Sequence, residues 1–115
     1  MSIHSYKELI VWQKSLQFVK LIYKITKVFP KDEQFGLTSQ IRRAAVSIPS
    51  NIAEGYGRRS HKEYKQFYSI AYGSALEVDT QLVIANEIGY ISETEFESCS
   101  SILNEVTRML YVMVF

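Results

Sequence analysis

The stretch SIPSNIAEGYGRRSHKEY, Ser47 to Tyr64, puts a proline inside an apolar pattern of helical spacing, then ends the pattern at two glycines and a knot of positive charge. Ile48 and Ile52 keep the phase of Leu37, Ile41 and Ala44, so one helix is expected to run through Pro49. Proline removes the N–H that would bond the Ala45 carbonyl and crowds that carbonyl, at ~3 kcal/mol in a regular helix interior, and usually bends the axis. Ser47, Ser50 and Asn51 stand close enough in sequence to bond freed backbone groups. Ala44, Ala45, Ala53 and Gly55 are small and let neighbouring helices approach at the bend. Gly55 and Gly57 then let the chain leave the helix.

Outward from this stretch, three segments open with one start pattern. Ser5-x-x-Glu8, Ser60-x-x-Glu63 and Ser92-x-x-Glu95 each have the form of a capping box. Pro30 and Gly89 supply stops. Helices are expected over about 6–28, 33–56, 61–88 and 93–115. Their core rows read Leu9, Trp12, Leu16, Val19 and Tyr23; Leu37, Ile41, Ala44, Ile48 and Ile52; Tyr64, Phe67, Ala71, Val78, Leu82 and Ala85; and Phe96, Cys99, Leu103, Val106, Leu110 and Met113. Such steps of three and four residues suit bundle seams, and short links favour neighbours that alternate in direction. The expected fold is all-α, an antiparallel up-down-up-down four-helix bundle with a proline bend in the second helix, and a single domain over residues 1–115.

Bulk properties agree. A chain of 115 residues, 47% apolar and 22% charged, suits one globular domain. No apolar run approaches the ~18 residues of a membrane span, and the first residues, MSIHSYKELIVW, lack the layout of a secretory leader. The expectation is a cytoplasmic protein without a membrane partner. Cys99 is the one cysteine, which fits a reducing compartment and a packing role.

The net charge of +1 hides a division. Residues 1–65 hold 12 Lys and Arg against 5 Asp and Glu, whereas residues 66–115 hold 1 against 7. Either a polyanion partner or self-association between opposite faces fits this asymmetry. Arg58, Arg59 and Lys62 flank the start of the third helix, where free N–H groups and the helix dipole favour an anion. A phosphate site is one reading. A solvated turn, with Glu54 and Arg58 paired four residues apart, is the other. Arg42 lies upstream, and Lys20, Lys24, Lys27 and Lys31 form a line at helical steps. Such a line neutralises phosphates without choosing sequence, so the expected nucleic-acid-binding residues are Arg58, Arg59, Lys62, Arg42, Lys20, Lys24 and Lys27. Tyr68 and Tyr72 fit packing better than base stacking.

Catalysis is disfavoured. His4 and His61 lack metal-ligand spacing, no nucleophile-elbow motif occurs, and Gly55-x-Gly57 lacks the later residues of a phosphate loop. No catalytic residue, metal or cofactor is expected. Two helices carry a second apolar row: Val11, Phe18, Ile22, Ile25 and Phe29 on the first, and Tyr68, Tyr72, Leu76 and Val83 on the third. Apolar surplus of this kind marks an interface, so a homo-oligomer is expected.

Three runs, FGLTSQIRRAAVSIPSNIAEGYGR (Phe35–Arg58), YKELIVWQKS (Tyr6–Ser15) and AYGSALEVDTQL (Ala71–Leu82), resemble the four-helix-bundle family of bacterial proteins encoded in intervening sequences of 23S ribosomal RNA genes. Relatives of that family include the accessory variability determinant proteins of diversity-generating retroelements. The resemblance spans essentially the whole chain. It implies a ring-like homopentamer, a basic surface that binds nucleic acid, RNA rather than DNA, and in retroelements a reverse transcriptase as protein partner. It implies no catalytic activity. The matching signature comprises Arg43, Ala44, Ser47, Ile48, Pro49, Asn51, Ile52, Ala53, Glu54 and Gly55, read here as structural, with Arg43 in subunit or intrahelical pairing. An assembly scaffold that binds only protein partners is the alternative function.

Overall fold

In a computed structural model, residues 4–115 are described and form four α-helices with two short 3-10 turns and, among these residues, no strand. The helices are α1 (Ile10–Thr26), α2 (Leu37–Tyr56), α3 (His61–Glu87) and α4 (Glu93–Val114). The 3-10 turns are Tyr6–Glu8 and Lys31–Glu33.

Local chemistry sets most boundaries. At α4 the capping box is complete: Ser92 Oγ accepts from Glu95 N–H at 3.1 Å and Glu95 Oε1 accepts from Ser92 N–H at 2.9 Å. Half of the box forms at α3, where Ser60 Oγ accepts from Glu63 N–H at 3.1 Å. The Ser5 pattern does something else. Its hydroxyl accepts from Lys7 N–H at 3.1 Å and caps the 3-10 turn, while Glu8 accepts from His4 N–H. Leu9 is extended between that turn and α1, so the first α-helix begins later than expected and ends at Thr26. Likewise α2 begins at Leu37 rather than 33, because Glu33 closes a separate turn and lends its side chain to the Leu37 N–H at 3.0 Å. Gly89, with φ +83°, takes the left-handed position that ends α3.

Each helix packs on its sequence neighbours and α1 closes on α4; the pairs α1/α3 and α2/α4 do not meet. The result is a four-helix bundle of 43 × 25 × 23 Å. Its long dimension matches α3, whose 27 residues rise about 40 Å. Facing the centre are Phe18 and Ile22 of α1, Ile41, Ile48 and Ile52 of α2, Val78 and Leu82 of α3, and Cys99, Leu103, Val106 and Leu110 of α4.

The rows on α1 are exchanged relative to expectation. Val11, Phe18, Ile22, Ile25 and Phe29 are buried, whereas Leu9, Trp12, Leu16 and Val19 are half-buried and Tyr23 is 41% exposed. Both rows have helical spacing, but the first contains Ser15, a polar interruption at the core. Its hydroxyl donates to the Trp12 carbonyl at 2.8 Å, which makes full burial tolerable. On α3, Tyr68 is buried and Tyr72 half-buried, while Leu76 and Val83 face solvent.

Pro49 is buried within α2, and the helix continues without interruption through it. Nearby, Ser47 Oγ receives hydrogen bonds from Ser74 Oγ at 2.9 Å and Asn51 Nδ2 at 3.0 Å, and the same amide donates to the Ser47 carbonyl at 2.8 Å. This network ties α2 to α3 beside the proline.

Candidate nucleic-acid interface

The α2–α3 turn is built by two local devices. Gly57 N–H returns to the carbonyls of Ala53 and Glu54, and Ser60 opens α3 two residues after Arg58. Arg58, Arg59, Ser60, His61 and Lys62 are all exposed. Their commitments differ. The Arg58 guanidinium carbon sits 4.5 Å from the Phe67 ring centroid and one nitrogen lies 3.9 Å from Glu54, so this side chain is already engaged with α2 and α3. His61 Nδ1 lies 2.6 Å from Tyr64 Oη, with the two rings edge to face at 5.0 Å. Arg59 and Lys62 enter no ion pair among the described residues. They stand free at the positive end of a long helix.

Arg42 is held elsewhere. Its Nε donates to Thr26 Oγ1 at 2.8 Å and its guanidinium lies 4.6 Å from the Tyr23 ring centroid. It shares a groove of about 500 Å³ between α1 and α2 with Arg43, Tyr23, Gln34, Phe35 and Val46. Lys27 and Lys31 line an adjoining hollow with Arg42. Lys20 and Lys24 are exposed on α1, and Lys24 borders a groove against Thr94 and Glu95 of α4. Arg58 stands sixteen positions after Arg42 along α2 and its turn, about 24 Å at helical rise. The seven expected residues therefore fall in three places: Arg58, Arg59 and Lys62 at one turn, Arg42 and Lys27 beside the α1–α2 groove together with Lys31, and Lys20 and Lys24 on the exposed surface of α1.

Tyr23 and Phe35 line the same groove, and nothing in their sequence context points to a site there. Tyr23 fitted a core row, and Phe35 lay in a link, with only its neighbour Gly36 to suggest exposure. Tyr68 and Tyr72 pack against neighbouring side chains, in line with the reading from their spacing. Tyr68 lies beside Gly55 and Tyr64, and Tyr72 contacts the rings of Tyr111 and Phe115.

The signature residues have local tasks. Ser47 and Asn51 make the network with Ser74, Pro49 fills the core, and Glu54 faces Arg58. A Cβ at Gly55 would lie 2.6 Å from Tyr68 Cε1 and 3.1 Å from Phe67 Cβ, so glycine is what permits α2 and α3 to meet there. Arg43 is exposed. Burial, aided by Glu95, pushes the Cys99 thiol up to about 11. Among the described residues no three His, Cys, Asp or Glu side chains are grouped to hold a metal, and no helix is long and apolar enough to cross a membrane.

Four packed helices, serine-capped starts of α3 and α4 and a basic inter-helix turn define a helical bundle protein. A model of the 23S rRNA-intervening sequence protein family matches residues 7–112. The chain belongs to that family. Among solved structures it is similar to a protein with unknown function from the S23 ribosomal protein family of Bacteroides thetaiotaomicron VPI-5482, at 24% identity and a TM-score of 0.83, covering 91% of this chain and 98% of the other. That likeness shows the fold. No curated protein matches the chain.

Proposed function

We propose that the protein is a non-catalytic homo-oligomer, a pentamer by its resemblance, that binds RNA through phosphate contacts at the α2–α3 turn. The observation that supports this reading is the pairing of Arg59 and Lys62, exposed and outside any ion pair among the described residues, at the start of α3. Arg58 frames the site from its perch on Phe67, and Lys20, Lys24 and Lys27 extend the positive field along α1 and the link after it. The bundle is antiparallel in this reading, with Pro49 bending α2. Its setting is cytoplasmic, with no membrane partner and no cofactor, and the retroelement relatives suggest a reverse transcriptase as a further protein partner.

A second reading, an assembly scaffold with protein partners only, draws support from the exposed Ile70, Leu76, Val83 and Ile84 on α3 and Ile88 at its cap. Mobility shifts with several unrelated structured RNAs separate the two. RNA binding predicts comparable shifts for all of them, weakening steeply with salt. No shift at low salt and micromolar protein leaves the scaffold.

A further inference from the structure

Resting on the oligomer reading above, we infer that the groove between α1 and α2 is a socket for the outer face of α3 from a second copy of this chain. Phe35 projects at this groove with 91% of its surface exposed, beside Tyr23 and Val46, and Arg42 and Arg43 flank them. A phenylalanine left that open is a large apolar anchor without a pocket in its own protomer.

The face of α3 has the complementary character. Leu76, the adjacent pair Val83 and Ile84, and Ile88 at the helix cap lie toward one side of it and are 42% to 53% exposed. Glu77 and Glu87 are exposed on the same side, and no Lys or Arg occurs between Lys65 and Arg108. Apolar side chains thus meet apolar side chains while guanidinium groups meet carboxylates, with Arg42 already fixed by Thr26 and Tyr23. Gly73 lies on this face too. A Cβ there would meet nothing within 4 Å. Inside the protomer an alanine would fit and would favour the helix, so the glycine suits close approach by an outside surface. An RNA occupant would satisfy the arginines but leave the acidic α3 face uncovered, and that face repels phosphate.

Because α3 lies across the bundle from α1, socket and ridge are on different sides of the protomer. Their contact is head to tail. Each copy contributes one half to each of two neighbours, and repetition with closure gives a ring.

Sedimentation velocity on Phe35→Asp, on Ile84→Asp and on their mixture tests this, with far-UV circular dichroism confirming helicity. Each variant has one ruined half, so each alone is expected as a monomer of 13.3 kDa. Mixed, they retain one socket and one ridge between them and should form a 1:1 dimer that grows no further. Either variant keeping the size of the unmodified protein, or a mixture that stays monomeric, overturns the inference. Should either aspartate variant lose helicity, Arg43→Glu alone and combined with Glu77→Arg and Glu87→Arg replaces it: the single change should dissociate the oligomer and the combination restore it. Failure of restoration overturns the inference. An unmodified protein that is itself monomeric overturns the oligomer reading, a result distinct from an intact ring with unaffected variants.

Discussion

The Tyr90 phenol donates to Glu33 Oε2 at 2.9 Å across 57 residues of chain, while Oε1 of the same carboxylate accepts the Leu37 N–H at 3.0 Å. One side chain thereby caps α2 and ties the link before it to the turn between α3 and α4. Phe29 packs against the Tyr90 ring at 5.3 Å and shields the joint. The Leu37 N–H and then the Tyr90 hydroxyl hold the Glu33 carboxyl below its ordinary 4.5. A carboxyl lowered in the folded state stabilises fully above its unfolded value and loses that support as pH falls through the lowered one. Melting temperature should therefore drop on acidification below about pH 4.5 more steeply for the unmodified protein than for Glu33→Gln. Parallel curves would remove Glu33 from the acid response.

Gly55→Ala tests the close approach of α2 to α3. The added methyl meets the Tyr68 ring at 2.6 Å, and a buried aromatic side chain has little room to yield. Overpacking of this kind costs about 1–3 kcal/mol. Thermal unfolding should fall by several degrees for each kcal/mol lost, about 4–8 °C in a domain near this size. An unchanged melting temperature would show that Tyr68 can move aside.

Much of the bundle is legible in the sequence, and the exceptions have physical causes. Ser60, Ser92 and Gly89 mark helix ends through bonds or angles that involve only near neighbours, so their reading needs no tertiary knowledge. On α1, by contrast, two apolar rows share the same spacing. Which one faces inward is set by where α2 and α4 pack, and the buried row is the one broken by Ser15, whose hydroxyl is satisfied within its own helix. The candidate site divides for the same reason. Arg42 on α2 and Arg58 in the turn after it look continuous in sequence, yet helical rise carries them to different regions and only Arg42 reaches Thr26.

Pro49→Ala should leave a folded bundle with altered assembly. The substitution restores an N–H for the Ala45 carbonyl and would remove the proposed bend, on which the outer surfaces of the proposed assembly depend. Light scattering should report a changed size distribution while circular dichroism stays helical. If size and melting temperature both match the unmodified protein, Pro49 acts only as core filler.

Cys99 should be inert in the native state. Its thiol is buried and raised to about 11, so almost none is thiolate at neutral pH. A chromogenic disulfide reagent should label it fully in denaturant and negligibly over minutes in buffer. Fast native labelling would mean that α4 opens readily from the core.

RNA affinity measured against salt, for the unmodified protein and for Arg59→Ala combined with Lys62→Ala, tests the central claim most directly. These two side chains are chosen over Arg58 because neither enters an ion pair among the described residues, so their loss leaves the fold's contacts in place. The double variant is expected to keep the oligomer, to bind several unrelated RNAs more weakly by similar factors, and to shallow the dependence on log salt by up to about two phosphate contacts. Unchanged affinity and slope with the oligomer intact would contradict the account.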